Sequence, residues 1–212
     1  MAVRPAAHRP RMLRISRDLP EWKAIAVAAR VVTRGGIIVF PTDTTYGFAA
    51  SIYCEEAVRR LRRLKARRSD QPFLVIAADT DWVRELAVVT AGHQRLINDY
   101  WPGPLSIVFE ASEAVPEYLM GPRRTIALRI PDDTLTQSIL RACGFPLVAP
   151  SANLKGMEPA ASAHKVVRDF AGKVDLVLDG GSIESITPST IVRVGSRGLE
   201  VLREGRLVVR EA

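Results

Sequence analysis

Cysteine and histidine are nearly missing from these 212 residues: there are two cysteines, Cys54 and Cys143, and three histidines, His8, His93 and His164. Two cysteines far apart cannot build a secreted disulfide scaffold, and they lack the repeated Cys/His spacing of a zinc site. A reducing cytoplasm is therefore the expected location. No two histidines stand at paired-ligand spacing, which argues against a metal-hydrolase site. Long apolar runs are also absent. None approaches the roughly 18 residues of a membrane span, and the N-terminus has no apolar signal core, so a soluble protein with no membrane association is expected. Neither a Gly-x-Ser-x-Gly elbow nor a Gly-x4-Gly-Lys-Ser/Thr loop occurs, which argues against an α/β-hydrolase and a P-loop site. Any nucleotide must be bound another way.

What is present is a chain with 47% hydrophobic residues, enough for one sizeable core. The formal charge is +7, of which Arg4, Arg9, Arg11 and Arg14 contribute four without an intervening acid. Residues 1–14 are read as a flexible basic tail and 15–212 as one domain, because a segment rich in Arg, Pro and Ala cannot bury enough apolar surface to order itself. The body is mildly basic, which permits nucleotide or RNA binding without requiring it.

Periodicity predicts an α/β fold. Helices are expected over 20–33, with Trp22, Ile25, Ala29 and Val32 on one face, and over 55–68, with Ala57, Leu61 and Leu64 inward and Glu55/Arg59 and Glu56/Arg60 as i,i+4 pairs. Further helices are expected over 80–89, 93–100, 134–142 and 162–170. Strands are expected over 37–40, 73–77, 105–109, 125–130, 146–149 and 175–178, and a C-terminal hairpin over 189–194 and 199–203 turning at Gly195-Ser-Arg-Gly198. Helices alternating with strands and then a hairpin give a single domain with a mixed parallel and antiparallel sheet and flanking helices.

Chemistry can reside at a few points. Lys65 and Arg67 sit at a helix end and suit a triphosphate, or form a solvated basic face. Ser151 and Asn153 follow a proline-ended strand, where ligands gather, or make an ordinary turn. The loop Thr42-Asp-Thr-Thr-Tyr46 carries four hydroxyls and one carboxylate, to be satisfied by a polar ligand, a metal or each other. Arg129 lies in the apolar strand Thr125-Ile-Ala-Leu-Arg129, so it holds an anion or stands at a strand end. Trp101-Pro-Gly-Pro104 reads as a rigid connector. Asp179-Gly-Gly-Ser182 ends a strand and receives no role.

The order and spacing of Pro41-Thr-Asp-Thr-Thr-Tyr-Gly47, Lys65-Ala-Arg67, Trp101-Pro-Gly-Pro-Leu105, Thr125-Ile-Ala-Leu-Arg129, Ala149-Pro-Ser-Ala-Asn153 and Pro188-Ser-Thr-Ile-Val192 resemble the YrdC-like family of threonylcarbamoyl-adenylate synthases, from about Ile37 to Gly205. The resemblance implies the family's twisted α/β (DHBP synthase-like) fold around a basic cavity. It also implies an enzyme that condenses L-threonine, bicarbonate or carbon dioxide, and Mg²⁺-ATP into threonylcarbamoyl-adenylate and pyrophosphate for tRNA modification. By motif, Lys65 and Arg67 would be catalytic, with Lys65, Thr125, Ser151, Asn153 and Arg203 on ATP and Thr42, Arg129 and Ser189 on threonine. No metal ligand is assigned.

This sequence departs from the family pattern at Arg68, Gln71, Ile76, Leu154, Arg193 and Glu204. The chain ends soon after its last motif, so the expectation is a short enzyme handing a labile adenylate to a separate tRNA threonylcarbamoyl transferase complex. Two other readings stand beside it. A non-catalytic tRNA- or double-stranded-RNA-binding module would bind RNA without nucleotide turnover, and a divergent adenylating paralogue would turn over ATP regardless of threonine.

Overall fold

The computed structural model describes residues 10–68, 71–154, 156–184, 187–195 and 198–209. Strand β2 (Ile38–Pro41) shows how the core is built. With Ile37 before it, its side chains alternate between two apolar layers, Ile37 and Val39 in one, Ile38 and Phe40 in the other, all fully buried. A strand covered on both faces needs apolar residues at every position, which is why this one reads as a continuous run.

From one edge the strands run β1 (Arg11–Arg14), β9 (Leu176–Asp179), β2, β3 (Tyr46–Ser51), β8 (Leu147–Val148), β4 (Leu74–Ile76), β7 (Thr125–Arg129), β6 (Leu105–Ala111), β10 (Thr190–Gly195) and β11 (Gly198–Arg203), with β5 (Ala87–Val88) added to β6. The pairs β1 with β9, β2 with β9, β4 with β7 and β6 with β10 are parallel, and the rest antiparallel, so the expected mixed sheet is present.

Helices α1 (Trp22–Thr33) and α5 (Thr134–Cys143) cover one face through Ile25, Ala28, Val32, Leu135 and Ile139. On the other face α2 (Glu55–Lys65), α3 (Thr80–Leu86), α4 (Ala91–Tyr100) and α6 (Ala163–Phe170) pack into the larger layer. There Phe48 meets Phe170 edge to face at 5.0 Å. Helix starts follow the sequence: Asp133 accepts from Thr136 N at 2.7 Å, and Ser162 from Lys165 N at 3.4 Å. Among the described residues no helix is long and apolar enough to cross a membrane.

Several expectations are corrected. The flexible tail does not reach residue 14, because Arg11–Arg14 add to β9 as a parallel edge strand; residues 1–9 lie outside the described residues. Trp22 is 73% exposed, since α1 buries Ala24, Ile25, Ala28, Ala29 and Val32 instead. The second helix stops at Lys65 because Ala66 turns left-handed, with φ 45°. Arg59 pairs with Glu55 as expected, but Glu56 pairs with Arg63, and Arg60 reaches Asp175 at 3.1 Å. Residues 196 and 197 of the hairpin turn lie outside the described residues; Gly195 and Gly198 pair across it.

Candidate functional site

The polar loop 42–45 joins β2 to β3, a strand unanticipated from the sequence, so the chain reverses and lays Gly47 against Ser151. Phe48 N donates to Pro150 O at 2.9 Å and Ala152 N to Tyr46 O at 2.7 Å, which knits the Ser151–Asn153 turn to this loop across about a hundred residues of sequence. Tyr46 is fully buried, and its hydroxyl donates to Gly181 O at 2.7 Å and accepts from Gly180 N at 3.2 Å. Burial pushes its phenol up to about 12. The Asp179–Ser182 segment, given no role from sequence, thus anchors the loop.

Helix α2 buries Val58, Leu61 and Lys65, three positions on one face, so the face that packs the helix also delivers the ammonium inward. Lys65 Nζ donates to Ser151 O at 2.8 Å, to Asn153 O at 2.7 Å and to Asn153 Oδ1. All three acceptors are neutral. Burial, and then the charge of Arg67, bring its pKa down to about 8. A buried cation solvated by dipoles alone lacks the counter-charge that a phosphate supplies. Arg67 donates to Pro72 O at 2.9 Å, and its guanidinium lies 5.2 Å over the Phe73 ring.

Arg129, 3% exposed, occupies the last position of β7. Its Nε donates to Gly103 O at 2.7 Å and one terminal nitrogen pairs with Asp43 Oδ2. Burial draws Arg129 below the ordinary guanidinium range, and Asp43 draws it back. Burial likewise raises Asp43, against the lowering effect of Arg129. The Trp101–Pro104 connector therefore has a second task. A Cβ on Gly103 would come within 2.4 Å of Tyr100 O, so glycine lets the backbone turn that presents this carbonyl.

The carboxyl-terminal segment closes the other wall. Arg203 donates to Ser189 O at 2.6 Å and to Ser189 Oγ at 3.2 Å, Arg206 N donates to Pro188 O at 2.9 Å, and Thr190 Oγ1 donates to Leu207 O at 2.5 Å. Gly205 is what permits this docking: a Cβ there would stand 2.4 to 2.5 Å from backbone atoms of Pro188, Ser189 and Thr190. Gly205→Ala is expected to cost about 1–3 kcal/mol by overpacking, read as a lower midpoint in calorimetry.

These elements enclose a cavity of about 470 Å³. Eight of the nine residues singled out from sequence line it: Thr42, Lys65, Arg67, Arg129, Ser151, Asn153, Ser189 and Arg203. Thr125 does not. It borders a separate depression with Arg123 and Arg193, and its hydroxyl donates to Pro122 O at 3.0 Å. Thr42 is present, but its hydroxyl is engaged within the loop, donating to Thr45 O at 2.7 Å and accepting from Thr44 N and Thr45 N at 3.2 Å each. Of the described residues on the wall, four are cationic and one, Asp43, is acidic, so the space favours a polyanion. No cluster of three or more His, Cys, Asp or Glu suited to a metal occurs among the described residues, and Asp43 already serves Arg129.

Comparison with known proteins agrees with this architecture. The Sua5/YciO/YrdC family model, described as "Telomere recombination", matches residues 30–205. The threonylcarbamoyl-AMP synthase of Pyrococcus abyssi is 33% identical over 94% of this chain and 59% of its own length; that of Nitrosococcus oceani is 32% identical over 81% and 93%. The crystal structure of P. abyssi Sua5 complexed with L-threonine superimposes with a TM-score of 0.86 at 32% identity, covering 92% of this chain and 57% of that one. Escherichia coli YciO superimposes at 0.88 and 27% identity, covering 93% and 96%. The chain spans only 59% and 53% of the P. abyssi and Bacillus subtilis relatives. A family-model match over residues 30–205, most of the chain and the whole span that builds the cavity, places this protein in the Sua5/YciO/YrdC family.

Proposed function

We propose that this chain is a threonylcarbamoyl-AMP synthase, acting on L-threonine, bicarbonate or carbon dioxide, and ATP supplied as Mg²⁺-ATP. The observation that carries the reading is the division of one cavity into two halves. Lys65, bonded to the Ser151–Asn153 turn, and Arg67 line the cavity together with the Arg129–Asp43 pair, and Arg203 is held on Ser189; we assign Lys65, Arg67, Arg203 and the turn to phosphates, and Arg129, Asp43 and Ser189 to an amino acid. The names of the curated relatives and the threonine-bound Sua5 structure support the same assignment.

In this reading the threonine amine adds to carbon dioxide and loses a proton to give a carbamate. A carbamate oxygen then attacks the α-phosphorus, and the bond to the β-phosphate oxygen breaks, its electron pair leaving on pyrophosphate. No protein nucleophile is required. Lys65 and Arg67 stabilise charge developing on the leaving group, Ser151 and Asn153 orient the nucleotide, and Arg129 orients the threonine carboxylate. Delivery of the adenylate to a tRNA threonylcarbamoyl transferase complex, contact with tRNA and a cytoplasmic location belong to the same proposal. Incubation with L-threonine, isotopically labelled bicarbonate and Mg²⁺-ATP is expected to yield labelled threonylcarbamoyl-AMP by mass spectrometry; absence of label in any adenylate would overturn the reading.

Gln71 lines the phosphate half beside Arg67. Gln71→Lys adds a fourth cation there and is expected to lower KM for ATP by roughly 2- to 10-fold, the size of one partly screened charge interaction. A KM that is unchanged or higher would show that this position does not tune ATP affinity.

A further inference from the structure

Asp43 carries an oxygen that its own fold leaves without a bond. Oδ2 lies on Arg129, while Oδ1 is fully buried and has no hydrogen-bond partner among the described residues. The loop that carries it is held firmly. Arg206 donates to Asp43 O at 2.8 Å, Arg17 donates to Thr42 O at 3.0 Å, and the Thr42 hydroxyl cross-links the turn. Arg129 is equally fixed by Gly103 O. Asp43 lines the cavity, so its unsatisfied carboxylate oxygen, held on a rigid frame, is an acceptor still to be paired.

We propose that Asp43 receives the amine of the amino-acid substrate while Arg129 holds its carboxylate, so that the pair reads the zwitterion; this rests on the synthase reading above. The chemistry selects an ammonium over other donors. A metal would need further acidic or imidazole ligands, and no such cluster exists among the described residues. A neutral hydroxyl would complete the bond on Oδ1 but bring no charge. When a substrate carboxylate also engages Arg129, Asp43 loses part of its counter-charge, and an ammonium restores it. The exchange leaves the net charge of this half unchanged, so the cations facing the triphosphate keep their full effect. It also fixes the nitrogen that must be carboxylated, which makes Asp43 a determinant of substrate choice.

The test compares L-threonine with its deamino analogue, β-hydroxybutyrate, by calorimetric titration of wild type, Asp43→Asn and Asp43→Glu. Asn keeps the shape and can still accept from Arg129 but carries no charge. Wild type is expected to prefer threonine by about 10- to 100-fold, the worth of one charge-assisted bond. In Asp43→Asn that preference is expected to fall to within about twofold, through weaker threonine binding alone, with ATP affinity and the circular dichroism spectrum preserved. Asp43→Glu should retain part of it. An unchanged preference in Asp43→Asn, or equal weakening of both ligands, would overturn the assignment, the second result marking Asp43 as a support for Arg129. Wild-type protein that binds neither ligand would overturn the synthase reading and this assignment with it.

Discussion

Lys65→Ala is expected to reduce threonine-dependent pyrophosphate release by about 10²–10³-fold, the loss found when a preorganised donor to a developing charge is removed. The expectation rests on where the ammonium sits. It is almost fully buried, and among the described residues its three bonds go to Ser151 and Asn153 and none to a carboxylate, so its charge is free to meet the phosphate of the proposed substrate. The same environment sets a pH signature. With its pKa lowered to about 8 by burial and then by Arg67, Lys65 is charged below that pH and neutral above it. In the free enzyme kcat/KM for ATP should therefore fall as pH rises through about 8, and in Lys65→Arg, whose guanidinium stays charged, this limb should vanish. The contribution to stability has the opposite sign. Between about 8 and the ordinary lysine value of 10.5 the unfolded chain holds the proton and the folded chain does not, so Lys65 makes folding more favourable as pH rises across that window.

Arg129→Met is expected to be the most damaging substitution for the fold, costing about 3–5 kcal/mol because it leaves Asp43 buried without its counter-charge. At this chain length that corresponds to a fall in Tm of roughly 6–20 °C by calorimetry. The Gly103 carbonyl loses its donor at the same time. The double variant with Asp43→Asn should recover part of the loss, since the stranded charge is removed, and a double-mutant cycle measures that coupling. Strictly additive losses would show that the two groups do not sustain one another. Threonine binding should be lost in both the single and the double variant, because the carboxylate contact is gone in each.

Much of the site was legible because its residue types conflict with their local surroundings. An arginine in the apolar strand Thr125–Arg129 and a lysine and arginine at the end of an amphipathic helix both signalled a ligand or a partner. The fold shows Arg129 with the partner, and Lys65 without any charged one among the described residues. Strand β3 escaped notice for a physical reason. Tyr46–Ser51 is buried at every position, so it shows no alternation, and its Gly and Ala residues carry little strand preference. Strand β1 was hidden by its arginines, which project from an exposed edge. The tasks of Gly103, Gly205 and the Gly180–Gly181 backbone are set by atoms far away in sequence, and no local pattern announces them. Thr125 was placed by motif alone, and its hydroxyl turned out to face Pro122 outside the cavity.

The most direct measurement is pyrophosphate release from Mg²⁺-ATP with bicarbonate, adding L-threonine, L-serine or neither, on wild type beside Lys65→Ala. Release that depends on threonine and is lost in Lys65→Ala is the predicted result. No release under any condition from folded protein that still binds RNA would contradict it in favour of a binding module, and release indifferent to threonine would contradict it in favour of an adenylating paralogue with another substrate.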